Sequence, residues 1–211
     1  KIQSLKNGNK KTVIKKLFLT AAVAVSSLTF AQQFGAKAGM NVSTISDEGF
    51  DDTKSKVGYY AGVFMNVPVS ESFSIQPEVL YNNLGSKVSS TVSGTTYSST
   101  LNLDYVAVPV MFQYKATPQF YLEAGPEFGF LVNAKQKFDN GSSSIVTELD
   151  KEDFNSFNMG VGLGLGFDIS KNVGLNARYV AGFSDITKES GPAADAKNKN
   201  NAFQVGLNIK F

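Results

Sequence analysis

An all-β chain, closed as an eight-stranded antiparallel up-and-down barrel, is predicted by three features of the 211-residue sequence. Apolar and polar residues alternate with period two in eight separate segments. The connections between these segments are short and long in turn. Gly (19 residues) and Phe (17) are abundant, and only 18% of residues are charged, against roughly 25% in an average soluble domain. The absences narrow the chemistry. With no Cys there is no disulfide framework, thiolate nucleophile or thiolate metal site, and with no His there is no Ser-His-Asp triad or imidazole ligand.

Residues 1–31 read as a leader rather than as part of the fold. They carry Lys1, Lys6, Lys10, Lys11, Lys15 and Lys16 and no acid. An apolar run from Leu17 to Phe30 follows, closing on Thr29-Phe30-Ala31 before Gln32-Gln33. A basic segment, a short apolar core and a small residue describe a cleavable signal peptide, with Ala31 the last residue removed. The run is shorter than the ~20 apolar residues of a spanning helix. The basic stretch is long and the first residue is not Met, so translation is expected to start near Val13-Ile14. Removing 1–31 takes away six of the 20 basic residues and none of the 18 acidic ones. That leaves 14 against 18, a net charge of −4, and no basic surface for nucleic acid.

Taken in order, each strand has one apolar face. Phe34, Ala36, Ala38, Met40 and Val42 oppose Gly35, Lys37, Gly39 and Asn41. Val57, Tyr59, Ala61, Val63, Met65 and Val67 oppose Gly58, Tyr60, Gly62 and Asn66. Phe73, Ile75, Pro77, Val79 and Tyr81 oppose Gln76, Glu78 and Asn82. Val106, Val108, Val110, Phe112 and Tyr114 oppose Ala107, Pro109 and Gln113. Upstream of Asp104 that fourth strand loses phase, because Leu101 and Leu103 fall on the other face; a bulge near Asp104, or a strand leaving the apolar layer, would account for it. The fifth runs from Phe120 to Val132, with Tyr121, Glu123, Gly125, Glu127 and Gly129 on its polar side. The sixth, Phe157 to Ile169, has seven apolar residues facing Asn158, Gly160, Gly162, Gly164, Gly166 and Asp168. The seventh spans Val173 to Phe183 and the eighth Phe203 to Phe211. Turns at 69–72, 115–119 and 170–172 are short; loops at about 44–56, 83–100, 133–156 and 184–201 are long and polar. Short turns at one end and long loops at the other are the pattern of a transmembrane barrel, with periplasmic turns and extracellular loops.

The polar face decides which side meets water. It is mostly Gly, Asn, Ser and Gln, with few charges: Lys37, Glu78, Glu123, Glu127, Asp168, Arg178 and Lys210. A soluble carrier barrel would wear a charge-rich outer face. A crowded eight-stranded interior needs small residues to admit large ones, and hydrocarbon tolerates no charge on the apolar face. The aromatics fall into two girdles. Phe34, Phe73, Tyr114, Phe120, Phe167 and Phe211 mark one rim; Tyr59, Tyr81, Phe130, Phe157, Phe183 and Phe203 mark the other. Pro77, Pro109 and Pro126 sit inside strands and cannot donate to the ladder, so local bulges are expected there.

The polar residues offer one cluster and no catalytic set. Glu123 and Glu127 share the inward face at a separation of ~13 Å, wider than the ~5–9.5 Å of hydrolytic carboxylate pairs. With Arg178, the only Arg in the chain, and Glu78 they form a candidate interior polar network with a structural role. The Gly160, Gly162, Gly164, Gly166 row lacks phosphate-loop spacing and a following helix. Asp47, Glu48, Asp51, Asp52, Glu148, Asp150, Glu152 and Asp153 do not match a calcium loop and read as solvated loop charge. Residues 193–201 are small and polar, so that loop tip is expected to be mobile. No cofactor, metal or enzymatic activity is expected.

Five short motifs, Gln76-Pro77-Glu78-Val79-Leu80-Tyr81, Tyr105-Val106-Ala107-Val108-Pro109, Gly125-Pro126-Glu127, Arg178-Tyr179 and Lys210-Phe211, resemble those of the porin-family or PorT-like outer-membrane β-barrel proteins of Bacteroidota. The resemblance covers residues 32–211; Ala107 departs from it, where family members often carry an acid. It implies an integral outer-membrane protein in contact with lipid and lipopolysaccharide, inserted by machinery that reads the closing Phe211. The expected role is non-enzymatic: envelope integrity or loop-mediated interaction. The alternatives are a narrow channel for small solutes and a PorT-like accessory of protein secretion.

Overall fold

The computed structural model describes residues 32–46, 54–92, 95–151, 154–186 and 198–211. The expected leader lies outside them, as do Asp47, Glu48, Asp51, Asp52, Glu152, Asp153 and most of the loop tip expected to be mobile. Among the described residues nine strands run in chain order: β1 (Gln33–Ser46), β2 (Lys54–Pro68), β3 (Phe73–Val92), β4 (Thr95–Lys115), β5 (Phe120–Asp139), β6 (Ser144–Glu148), β7 (Phe157–Asp168), β8 (Val173–Asp185) and β9 (Lys199–Lys210). Eight of them close a ring. Each of β1 to β4 pairs with the next, then β5 with β7, β7 with β8, β8 with β9 and β9 with β1, all antiparallel. The closing contact between first and last strands runs from Gly35–Lys210 to Ser46–Lys199 without interruption.

The apolar faces point outward. Leu163 is 60% exposed and Val63 58%, whereas Arg178 is 1% exposed and Lys37 2%. This is a soluble protein turned inside out, as a lipid solvent requires. Aromatic pairs mark both rims. Phe73 and Tyr114 lie 5.0 Å apart at the turn end; Tyr59–Tyr81, 6.0 Å, and Phe130–Phe157, 5.5 Å, lie toward the loop end.

Two expectations need correction. The stretches 83–100 and 133–156 are not simply long loops. β3 and β4 continue as a paired hairpin to Val92 and Thr95, and β5 continues to Asp139 and turns back as β6. Thr, Val and Tyr there favour extended backbone, but beyond the plug residues Leu84, Leu101 and Ala134 both faces meet water, so the alternation that marks a half-buried strand is missing. Lys199–Asn201, assigned to the mobile loop tip, begin β9. The second correction concerns proline. Pro77 pairs with Val110 and the next rung, Leu80–Ala107, keeps the same register; Pro109–Glu127 and Phe112–Ala124 do likewise; Pro126 pairs with Val161 in an unbroken run. A missing N–H interrupts the ladder but adds no residue, and a bulge needs an added residue.

The lost phase of β4 has a cause that was expected: the strand leaves the apolar layer. A register shift does occur at Asp104, which pairs with Asn133 while Tyr105 pairs with Leu131, leaving Val132 of β5 as the extra residue. It does not turn β4 over. Leu101, Leu103, Tyr105 and Ala107 stay on the inward face, and β4 keeps one register with β3 from Ala107 to Thr95. Leu103 is inward because it belongs to an apolar plug with Leu84, Tyr105, Ala134, Phe154, Ile186 and Ala202, against which Leu101 also packs.

Candidate functional site: the ion-paired lumen

Below the plug the lumen is filled by polar side chains. Strand pleating sets them inward at every second position: Lys37 on β1, Gln76 and Glu78 on β3, Gln113 on β4, Glu123 on β5 and Arg178 on β8. Ring closure brings β8 opposite β3. Arg178 then grips Glu78 with both terminal nitrogens, Nη1 to Oε2 at 2.9 Å and Nη2 to Oε1 at 2.8 Å. Its Nε donates to Glu123 Oε1 at 2.8 Å, and Nη2 also lies 2.7 Å from that oxygen. This is the fork geometry in which guanidinium outperforms an ammonium. Lys37 Nζ donates to Glu78 Oε1 at 2.9 Å, and Gln76 Nε2 to the same atom at 2.8 Å. Gln113 Nε2 donates to Glu123 Oε2 at 3.0 Å. Asn66 Nδ2 faces Gln113 Oε1 at 2.8 Å and Gln76 Oε1 at 3.1 Å, completing the layer.

A second layer crosses the barrel through neutral groups. Tyr60 OH donates to Asn176 Oδ1 at 2.8 Å, Asn176 Nδ2 to Asn208 Oδ1 at 2.9 Å, and Asn208 Nδ2 to Tyr121 OH at 2.9 Å. At the turn end Lys210 pairs with Asp168 at 2.6 Å. The glycine row of β7 is the bed for these side chains. A Cβ at Gly166 would overlap the Tyr121 ring, one at Gly164 would sit 3.0 Å from Glu123 Oε1, and one at Gly162 would sit 3.3 Å from Arg178 Cδ. Between Asn66, Gln76, Gln113, Asp168 and Lys210 there remains a recess of about 20 Å³, room for one water.

Of the four residues singled out from sequence, the structure brings Arg178, Glu78 and Glu123 into direct contact and leaves Glu127 apart. Glu127 is inward and buried, but its Oε2 meets no hydrogen-bond donor among the described residues. The sequence reading missed Lys37, Gln76, Gln113 and Asn66 as members. Their inward parity was the available signal. Among the described residues there is no group of three or more His, Cys, Asp or Glu side chains placed to hold a metal. The arrangement braces the lumen with ion pairs and hydrogen bonds from β1, β3, β4, β5 and β8.

Comparison with known proteins agrees with this architecture. Residues 30–188 match the family model described as the outer membrane protein beta-barrel domain. The chain belongs to that family. Among solved structures it is similar to Ail, the attachment invasion locus protein of Yersinia pestis, at 14% identity and a TM-score of 0.51, covering 86% of this chain and 100% of that one. Neisserial surface protein A matches at 12% identity and a TM-score of 0.47, covering 84% and 97%. OprG from Pseudomonas aeruginosa matches at 13% and 0.41, covering 86% and 96%. At such identities the likeness to Ail concerns the fold alone. No curated protein sequence matches the chain. The family membership and the lipid-facing apolar wall make it an outer-membrane barrel.

Proposed function

We propose that this is a non-conducting, non-enzymatic barrel that supports envelope integrity and uses its projecting strands as a contact surface. The observation that carries this reading is the filled lumen. An apolar plug, the Arg178 layer and the Tyr60–Tyr121 layer lie one above another and fill the lumen. Past the loop-end girdle, β3 to β6 form a four-stranded sheet. Its axis-facing side carries Val88, Tyr97, Phe138 and Ile145 around a groove of about 320 Å³. β6 has no partner on its outer edge among the described residues. An unpaired edge beside an apolar groove suits an extended polypeptide strand as the occupant.

Planar-bilayer recording tests the closed lumen. The folded protein should give no steady single-channel steps; reproducible unitary conductance would favour the solute-channel alternative. The finer readings are part of the same proposal. A leader is cut after Ala31, lipopolysaccharide and outer-membrane lipid surround the apolar wall, and the insertion machinery reads Phe211. The Gln76–Tyr81 and Gly125–Glu127 motifs support a PorT-like relationship within Bacteroidota. Affinity purification from the outer membrane, recovering a secretion component, would support that last reading.

A further inference from the structure

The projecting sheet has two unlike faces and one open edge. Its axis-facing side carries Val88, Tyr97, Phe138 and Ile145, which are 47% to 65% exposed. Ser90, Ser99 and Thr147 share that side, and among the described residues it holds no charge. Gln136, also on that side, donates its amide to Ser99 Oγ at 3.0 Å. The outer side of the same strands holds the charges. There Lys137 lies 3.8 Å from Asp139, and Lys135 lies 3.4 Å from Glu148. The edge is β6. Asn140 N–H donates to the Ser143 carbonyl at 3.1 Å, and Leu149 N–H to the Ala134 carbonyl at 3.0 Å. In an antiparallel ladder such bonded positions recur at every second residue. Between Ser143 and Leu149, the backbone of Ile145 and Thr147 is therefore turned to β5. The N–H and C=O groups of Ser144, Val146 and Glu148 are turned the other way, to the side where β6 has no neighbour among the described residues. Open edges are commonly guarded by Lys, Pro or a bulge. β6 has none of these, and Ile145 and Val146 are 65% and 58% exposed. Its one charge is Glu148, at the end of the strand, with a side chain 80% exposed.

Backbone geometry restricts the occupant. A second copy in the same membrane stands upright beside the first, so its β6 runs parallel to this one. A two-fold axis along the strands sets Val146 level with its own counterpart. Parallel pairing needs it level with a residue whose N–H and C=O point away. Self-pairing in the membrane plane is therefore out of register, and the edge is left to a different polypeptide. We propose that β6 accepts an added antiparallel strand from another protein, matching its five residues. The proposal rests on the contact-surface reading above and names the chemistry of that partner. Added residues opposite Ser144, Val146 and Glu148 bond the free backbone groups and turn their side chains to the charged outer face. The two between them, opposite Ile145 and Thr147, turn theirs toward the groove. An uncharged groove lined by Tyr97, Phe138 and Ile145 selects apolar or aromatic side chains at those two positions. The exposed Glu148 selects Lys or Arg directly opposite it. The partner segment is thus extended, basic at its first position and apolar at its second and fourth.

The test uses the folded full chain in lipid nanodiscs and two synthetic peptides, acetyl-Lys-Val-Thr-Phe-Thr-amide and the same peptide with Glu in place of Lys. Each is titrated into isotope-labelled protein and followed by NMR. The Lys peptide should shift the amide protons of Val146 and Glu148 and slow their exchange with solvent. It should bind about 3-fold tighter than the Glu peptide, and Glu148→Lys should reverse that order. Val146→Pro removes a free-edge donor and leaves the β5–β6 ladder intact. It should weaken the Lys peptide about 10-fold with the melting temperature unchanged. Absence of shifts at β6, equal binding of the two peptides, or binding undiminished in Val146→Pro would overturn strand addition. So would sedimentation of the unmodified protein as a dimer that Val146→Pro returns to a monomer, since a second copy would then hold the edge. Should Val146→Pro fail to fold, the amide shifts of the unmodified protein and the Glu148→Lys reversal decide in its place. Shifts confined to β3 and β4 would keep the sheet as a contact surface and still overturn the β6 site. The closed-lumen reading rests on conductance and stands or falls separately.

Discussion

The two ends of β4 carry opposite polarity on the same face. From Tyr105 down to Tyr114 the outward residues are Val106, Val108, Val110, Phe112 and Tyr114, and the inward ones are Ala107, Pro109, Met111 and Gln113, the last bonded to Glu123. Above Tyr105 the outward positions are Asp104, Asn102, Thr100 and Ser98, and the inward ones are Leu103 and Leu101. The pleat never changes; the solvent does. Below, lipid wets the outside and the polar groups are driven into the lumen. Above, water wets the outside and the apolar groups gather within, as in a soluble protein. The crossover is built at the outer surface, where Asn83 Nδ2 and Asn133 Nδ2 donate to the Asp104 carboxylate at 2.5 and 2.9 Å, just past the Tyr59–Tyr81 pair. One strand thus serves two solvents, and its interior is held by ion pairs in one zone and by packing in the other.

That contrast can be broken zone by zone. The largest effect should come from Arg178→Ala, which leaves Glu123 buried without a cation and Glu78 with Lys37 alone. Removing one partner of a buried ion pair costs about 3–5 kcal/mol, read as a marked fall in the temperature at which the folded band on gels is lost. Leu103→Ala attacks the upper zone instead. Truncating a fully buried leucine costs about 2–5 kcal/mol, and here the loss should appear in melting with no change in conductance. Gly166→Val sharpens the account of the glycine bed. The added side chain meets the Tyr121 ring, and overpacking of this kind costs about 1–3 kcal/mol; Gly129→Ala, with its nearest neighbour at 3.4 Å, should be milder by the same assay. The smallest effect should come from joining Lys87 to Thr100 through an Asn-Gly turn. That removes the upper β3–β4 hairpin, leaves both zones in place and should leave the melting temperature where it was. A large drop would mean the projecting sheet braces the barrel.

How far the sequence carries depends on where lipid is. Within the membrane layer the alternation is strict, so the eight barrel strands, their outward faces and both girdles could be read from residues such as Val161, Leu163 and Leu165. Above the layer no single face is buried along a whole strand, and the upper hairpins of β3–β4 and β5–β6 passed for loops. Leu101 and Leu103 break the phase of the sequence pattern, and of its two expected causes the strand leaving the apolar layer accounts for them. Within the candidate site, parity placed Glu78, Glu123, Glu127 and Arg178 on the inward face. Which carboxylates meet Arg178 follows from ring closure, which sets β8 across from β3 over 100 residues of chain. Glu127 and Glu123 share a strand and a face, and only their height against Arg178 separates a paired carboxylate from an unpaired one.

The inversion of solvent along β4 can be measured directly, since the native chain has no Cys to remove. Single cysteines at Ser98, Asn102, Val108 and Phe112, spin-labelled in the folded protein in lipid bilayers, report collision rates with oxygen and with a water-soluble nickel reagent. Positions 108 and 112 should favour oxygen, and positions 98 and 102 should favour the nickel reagent, with the change between 102 and 108. Nickel-type exposure at 108 and 112, or oxygen-type exposure at all four positions, would contradict the account.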